Sequence, residues 1–204
     1  MTDPQDQSFA KLGLPTDHLA NLDRLGYTAM TSIQAKSLPL ILANKDVIAQ
    51  AKTGSGKTAA FGLGVLKNID PQLLAVQALI LCPTRELADQ VGKEVRRLAQ
   101  AIPNIKLVVL CGGKPFGPQK ASLQHGAHIA VGTPGRILDH LSKKTLSLAR
   151  LKTLVLDEAD RMLDMGFADD MQHIVERAPK QRQTLLFSAT YPASIRSLSA
   201  QIQD

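Results

Sequence analysis

Residues Ala51-Lys52-Thr53-Gly54-Ser55-Gly56-Lys57-Thr58 place small residues, an ammonium and a hydroxyl in the order that a phosphate cradle needs. An apolar run, 46–50, precedes them and a helical pattern, 58–68, follows. Backbone N–H groups and the positive end of a helix would therefore converge on one anion. The glycines let the backbone come close, Lys57 would reach the β and γ phosphates as a point charge, and the Thr58 hydroxyl would ligate Mg²⁺. The general pattern begins with glycine where this chain has Ala51, so a plain Gly-Ser turn before a helix is the competing reading. A second group lies at the end of the run Thr153-Leu154-Val155-Leu156, where Asp157 could hold Mg²⁺ through water and Glu158 could polarise an attacking water. Taken alone, Glu158 and Asp160 read equally well as acids that complement a helix dipole. A cradle and an acidic strand end in one chain favour a site for ATP with Mg²⁺.

Several other residues carry two readings. Thr31-Ser32-Ile33-Gln34 fits a capping box in which Thr31 caps a helix and Gln34 returns to the Thr31 N–H. Thr133-Pro134-Gly135-Arg136 looks like an N-cap followed by proline at the first helical position, but its free N–H groups and Arg136 also suit a phosphate. Arg85, beside another helix start, has the same ambiguity. The five histidines show no zinc spacing with Cys82 and Cys111 and no nucleophile motif, so they are expected at the surface or partly buried. Met162 and Met165 fall in a helical pattern after the acidic motif and are expected in the core.

The elements that must position these groups alternate. Apolar runs at 46–50, 76–81, 106–110, 129–131, 152–156 and 183–187 read as buried strands, with helical patterns at 58–68, 86–101, 120–123, 136–142 and 168–177 between them. This order predicts an α/β fold, a mostly parallel central sheet with helices on both faces. In such sheets ligands bind at the carboxyl ends of the strands, and every unusual segment named above follows a strand.

Composition agrees. The 204 residues suit one domain by the prior of roughly 150 residues per domain, and 44% hydrophobic with 21% charged residues is ordinary for a globular protein. A net charge of +6 favours polyanionic partners, and 3% aromatic residues disfavour a base-stacking platform, so nucleic acid would be held by its backbone. No apolar run approaches the roughly 20 residues a bilayer needs, the polar, acidic start lacks a signal peptide's regions, and the two cysteines lack metal-ligand spacing. A cytoplasmic protein with no membrane partner is expected.

Together the segments resemble the first RecA-like domain of DEAD-box ATP-dependent RNA helicases, a P-loop NTPase fold. The resemblance runs from Phe9 and Gly26-Tyr27 to Gln34 (the Q motif), then AKTGSGKT at 51–58, PTRELA at 83–88, Gly112-Gly113, TPGR at 133–136, DEAD at 157–160 and SAT at 188–190. Within the family, Met30 and the stretches 50–64 and 111–117 resemble the bacterial DbpA type, which implies work in ribosome assembly and a separate C-terminal RNA-recognition domain. The resemblance implies an N-terminal extension with the Q motif over 1–34 and the ATP-binding domain over 35–204. It implies Lys57, Asp157 and Glu158 as catalytic residues, with Phe9, Tyr27, Gln34 and Lys52 to Thr58 around the nucleotide. Tyr27 would stack on adenine, which Gln34 reads and Phe9 supports. It implies that Pro83, Thr84, Arg85, Gly113, Thr133 and Arg136 meet the RNA backbone, ribosomal RNA being the expected partner. Asp160, Ser188 and Thr190 would couple the two sites. One departure is Ser32, where the family has proline; serine leaves the helix start looser. A second is length, since the family's second RecA-like domain supplies an arginine finger and the other wall of the ATP site. The chain is therefore expected to be a fragment that binds nucleotide and is inactive alone.

Overall fold

Six strands form one sheet in the computed structural model, which describes residues 7–203. They are β1 (Val47–Gln50), β2 (Ala78–Leu81), β3 (Leu107–Leu110), β4 (Ile129–Gly132), β5 (Thr153–Leu156) and β6 (Gln183–Ser188). The first six residues of the expected N-terminal extension, with the polar start read there, and Asp204 lie outside the described residues. Each expected strand is present, with small shifts at its ends. The spatial order is β1-β6-β5-β2-β4-β3, and every pairing is parallel.

Period-two alternation assigns each strand residue to one of two cores. Ala78 and Ile80 of β2, Val155 of β5, and Leu185 and Phe187 of β6 face one layer. Leu79, Leu81, Leu154, Leu156 and Leu186 face the other. Both faces are covered, which is why these strands read as continuous apolar runs. The first layer is roofed by α1 (Thr16–Arg24), α2 (Ser32–Leu42), α3 (Lys57–Lys67) and α4 (Arg85–Ala99), through Leu22, Leu38, Ile41, Phe61 and Val95. The second is roofed by α6 (Pro134–Ser142), α7 (Ala159–Asp164), α8 (Ala168–Glu176) and α9 (Ala193–Ile202), through Ile137, Met162, Ile174 and Ile195. Helix α5 (Phe116–His125) lies against edge strand β3. Each fully buried Leu, Ile or Phe contributes about 1.5–3 kcal/mol.

The structure corrects several expectations. Helix α5 begins at Phe116, well before the expected 120, because Pro115 sets an extended N-cap. Helices α1 and α9, which the pattern reading did not assign, pack through Leu22 and through Ile195, Leu198 and Ile202. In α1, Asn21 also donates through Nδ2 to the carbonyls of Arg97 (3.0 Å) and Leu98 (3.1 Å), answering carbonyls at the end of α4. Met162 is core as expected, but Met165 ends α7 and is exposed. His128 and His140 are buried, not superficial, and both have hydrogen-bond partners on their ring nitrogens.

One glycine sets how closely α2 can approach α3. A Cβ on Gly64 would stand 2.1 Å from Ile41 Cγ2. Gly64→Ala is expected to destabilise the fold by about 1–3 kcal/mol in urea unfolding. Combined with Ile41→Ala, the total loss should fall short of the sum of the two single losses, because the second change vacates the space the first one needs.

Candidate functional site

Sheet order sorts the unusual segments into two groups at the carboxyl edge. The loops after β1, β5 and β6 sit side by side on one half, and those after β2, β4 and β3 on the other.

On the first half, the loop after β1 is tied to the end of β6 by the Ala51 N–H to the Ser188 carbonyl (2.9 Å). It then turns through Gly54 (φ +79°) and Gly56 (φ +86°), left-handed conformations that favour glycine. Helix α3 follows from Lys57, so Lys57 and Thr58 occupy its first turn, where backbone N–H groups lack intrahelical partners. Lys57 is nevertheless buried, and its Nζ lies 2.9 Å from Asp157 Oδ1 and 3.8 Å from Glu158 Oε1.

That ion pair is close in distance but not aligned as a hydrogen bond. Lys57 Nζ and both Asp157 oxygens are left without hydrogen-bond partners, together with Ser55 Oγ, Glu158 Oε2 and Ser188 Oγ. Buried polar groups are normally satisfied, so six such atoms around one loop mark a place built for something polar. Burial pushes the Asp157 carboxyl above its usual range, against the pull of Lys57. Glu158 is held in the left-handed region (φ 54°, ψ 52°), a conformation costing a non-glycine residue about 1–3 kcal/mol. The Thr53 hydroxyl donates to its Oε1 (3.0 Å) and Arg161 Nη1 stands 3.5 Å from its Oε2. Among the described residues no three acidic, histidine or cysteine side chains gather as a metal cage. Mg²⁺ takes one or two carboxylates and leaves its other positions to water and phosphate; Asp157, whose oxygens accept no hydrogen bond, and Thr58 fit that demand.

The capping box at α2 is present. The Thr31 N–H donates to Gln34 Oε1 (2.8 Å) and the Gln34 N–H to Thr31 Oγ1 (3.4 Å). Gln34 does more, because its Nε2 donates to the Gly56 carbonyl at 2.9 Å and so pins α2 to the cradle loop. A Cβ on Gly56 would lie 2.6 Å from that nitrogen. A cavity of about 510 Å³ opens beside it, lined by Thr31, Ile33, Lys36, Lys52, Gly54 and Ser55 among others. Tyr27 does not line it. Its ring meets Phe9 edge-on (6.2 Å, 82°) and its hydroxyl donates to the Glu94 carboxylate on α4, so burial and then Glu94 push the phenol pKa up. A larger cavity, about 670 Å³, lies among Leu12, Pro39, Leu42, Leu66 and Ile102, and it contains none of these polar groups.

On the second half, Thr84 caps α4 by accepting the Leu87 N–H (3.3 Å). Arg85 projects half-exposed, its Nη1 3.3 Å from where a Gly113 Cβ would stand. Thr133 has N-cap geometry with Pro134 after it, but its hydroxyl does not cap α6; it accepts the Gly112 N–H (3.3 Å). Arg136 donates through Nη1 to the Lys114 carbonyl (2.8 Å) and to Gln119 Oε1 (3.1 Å). Thr84, Thr133 and Arg136, three of the residues expected to meet RNA, are therefore each tied to a neighbouring residue outside that set. Back on the first half, Asp160 Oδ2 accepts both the Thr190 N–H (3.1 Å) and the Thr190 hydroxyl (2.9 Å), joining the loops after β5 and β6. Burial works against the Asp160 carboxylate, but these bonds and the Arg161 N–H hold its pKa below the usual value. Gln119 lies just outside the helix expected from the sequence and carries no local signal there, and Thr53 becomes a partner of Glu158 only through the fold.

An all-parallel sheet with a glycine-turned phosphate loop and an acidic strand end at its carboxyl edge defines a RecA-like P-loop domain. A solved DEAD-box protein from Methanococcus jannaschii superposes with a TM-score of 0.92 at 41% identity, over 97% of this chain and 54% of that one. The model of the DEAD/DEAH box helicase family matches residues 31–198, and the chain belongs to that family. It is 63% identical over 190 residues to the ATP-dependent RNA helicase DbpA of Escherichia coli, covering 93% of this chain and 42% of that protein. To the DEAD-box ATP-dependent RNA helicase CshA of Geobacillus kaustophilus it is 46% identical, over 94% of this chain and 41% of the relative. The chain thus spans about two fifths of the length of these curated relatives.

Gln34→Ala removes the bonds to Thr31 and to the Gly56 carbonyl. Calorimetric titration with ATP and Mg²⁺ is expected to show affinity reduced about fivefold to thirtyfold, the equivalent of one or two kcal/mol of lost loop ordering.

Proposed function

We propose that this chain is the ATP-binding half of an RNA-dependent ATPase that separates short RNA duplexes. The observation that carries the reading is the cluster of buried polar atoms without hydrogen bonds on Ser55, Lys57, Asp157, Glu158 and Ser188, only some of which are offset by ion pairs. A nucleotide triphosphate with Mg²⁺ supplies the charges this cluster lacks.

Residues Lys52 to Thr58 would wrap the phosphates, with Lys57 neutralising the β and γ oxygens. Thr58 and Asp157 would hold Mg²⁺, largely through water; the ion, when bound, offsets charge that develops on the phosphates. Glu158 would orient the attacking water and Gln34 would read adenine; Tyr27, held by Phe9 and Glu94 outside the cavity, would have to turn toward it to stack on the base. Binding must part Lys57 from Asp157 and Thr53 from Glu158, since those contacts occupy the ground between the loop and the acids. Pro83, Thr84, Arg85, Gly113, Thr133 and Arg136 would hold the RNA backbone. Asp160 with Thr190, and Ser188 beside them, would report nucleotide occupancy across the sheet.

Residues 1–34 serve in this reading as an extension with the adenine-reading motif, and 35–204 as the catalytic half. A second RecA-like domain would complete the ATP site and supply an arginine finger, worth about 10³–10⁵ in rate. The longer relatives support that arrangement. The likeness to DbpA supports ribosomal RNA as the partner, ribosome assembly as the process and the cytoplasm as the place.

These 204 residues alone are expected to bind ATP and hydrolyse it negligibly. In the complete protein, RNA should stimulate hydrolysis where single-stranded DNA does not. Glu158→Gln should lower kcat by at least about a hundredfold, a loss typical for a proton-handling group, with ATP binding retained. Robust RNA-stimulated turnover by the 204 residues, or an unchanged kcat in the Glu158→Gln protein, would refute the reading.

A further inference from the structure

We infer that Gln119 and His140 are positioning residues that turn the Arg136 guanidinium so that one edge stays free for a phosphate of the RNA backbone. The inference rests on the proposed role of Arg136 at RNA, and neither positioning residue is among those proposed to touch RNA or nucleotide.

Gln119 is buried on α5, and three of its amide's bonds are made inside the protein. Its Nε2 donates to the Cys111 carbonyl (2.9 Å), and its Oε1 accepts from Arg136 Nη1 (3.1 Å) and from His140 Nε2 (2.9 Å). A flipped amide would set its NH₂ against a guanidinium and its oxygen against a carbonyl, so the orientation is determined. The same bond requires the proton of neutral His140 to sit on Nε2. Nδ1 is then the acceptor, and the Thr145 hydroxyl, 2.7 Å away, shares its one hydrogen between Nδ1 and the His140 carbonyl (3.1 Å). Burial, followed by the charge of Arg136, lowers the proton affinity of the ring, and its face stacks on Phe116 (4.2 Å, 15°). A fixed ring thus fixes the amide, and the amide fixes the arginine.

The effect on Arg136 is specific. Both hydrogens of its Nη1 are committed, one to Gln119 and one to the Lys114 carbonyl at 2.8 Å. Its Nε lies 3.9 Å from Asp139, at the outer limit of an ion pair. Among the described residues Nη2 has no hydrogen-bond or ion-pair partner, so its two N–H groups remain for an incoming oxygen pair. Arginine loses less entropy in such a contact when its plane is already set. Gln119 also ties the Cys111 carbonyl, so the loop bearing Gly113 and the helix bearing Arg136 move together.

The test is RNA-stimulated ATP hydrolysis by the complete protein across RNA and salt concentrations, with variants Gln119→Leu, Gln119→Glu, His140→Phe and Arg136→Ala. Gln119→Leu should raise the RNA concentration for half-maximal stimulation about tenfold, the size of one charged hydrogen bond. It should leave kcat at saturating RNA and the KM for ATP within about twofold, and flatten the logarithmic salt dependence by about 0.7, one phosphate contact on a single strand. Arg136→Ala should flatten it equally. His140→Phe keeps the stack and loses the donor, so it should shift the RNA requirement in the same direction by less. Gln119→Glu still accepts from Arg136 and His140 but sets an oxygen against the Cys111 carbonyl and a negative charge on Arg136, so it should recover at most a small part of the loss. If Arg136→Ala raises the RNA requirement while Gln119→Leu and His140→Phe leave it unchanged, the positioning role is wrong and the RNA reading survives. If Arg136→Ala changes neither quantity, both fall. Should Gln119→Leu fail to fold, an unchanged RNA requirement in His140→Phe overturns the positioning role by itself.

Discussion

Lys57 and Asp157 face each other at 2.9 Å with almost no access to water, as an ion pair poorly aligned for a hydrogen bond. Removing two charges from water costs several kcal/mol per ion, and a pair that lacks supporting hydrogen bonds does not recover it. Asp157 shows the deficit, since burial pushes its carboxyl up even with the ammonium beside it. A core built for stability alone would not keep this arrangement. The surrounding structure holds it in place: β5 carries Asp157 inside a sheet whose neighbours are hydrogen-bonded along their length, and Lys57 begins a helix packed against the same sheet.

Everything else at the carboxyl edge follows from which strands adjoin. Insertion of β6 between β1 and β5 puts the SAT segment next to both the cradle loop and the acids, so Asp160 can reach Thr190. Placing β4 between β2 and β3 lets Thr133 accept from Gly112 and Arg136 reach Lys114. The boundary between halves runs between β5 and β2, joined where the Asp157 N–H meets the Leu81 carbonyl (2.9 Å). A shift at the acids is thus one strand spacing from the loops that carry Thr84 and Arg85.

Much of this was legible because the chemistry is local. The cradle loop and the acidic strand end are short segments whose residue types have few other uses together, and strands buried on both faces announce themselves as apolar runs. Strand order was not legible, because pairing joins residues far apart in sequence. Gln34 shows one side chain with two tasks: its oxygen completes the capping box, as the sequence pattern implied, while its nitrogen holds Gly56, which no local pattern announced. Thr133 shows the opposite, a residue in cap position whose hydroxyl is drawn to a neighbouring strand's loop. His140 was misjudged because its burial depends on Gln119, Thr145 and Phe116, none of which its own helix supplies. Helices α1 and α9 were passed over because each has only a few apolar residues, whose faces acquire meaning once a sheet is there to cover.

The central claim is that the strained charges around Lys57 await a nucleotide with its metal. Thermal unfolding of the 204-residue chain against rising ATP at fixed Mg²⁺ tests it most directly. The account predicts a midpoint that climbs with ATP, by several degrees at about a hundred times Kd, where linkage contributes about 2.7 kcal/mol. It also predicts that the climb needs Mg²⁺ and disappears in Lys57→Ala. An equal climb in that variant, or none in the unaltered chain at millimolar ATP, would contradict it.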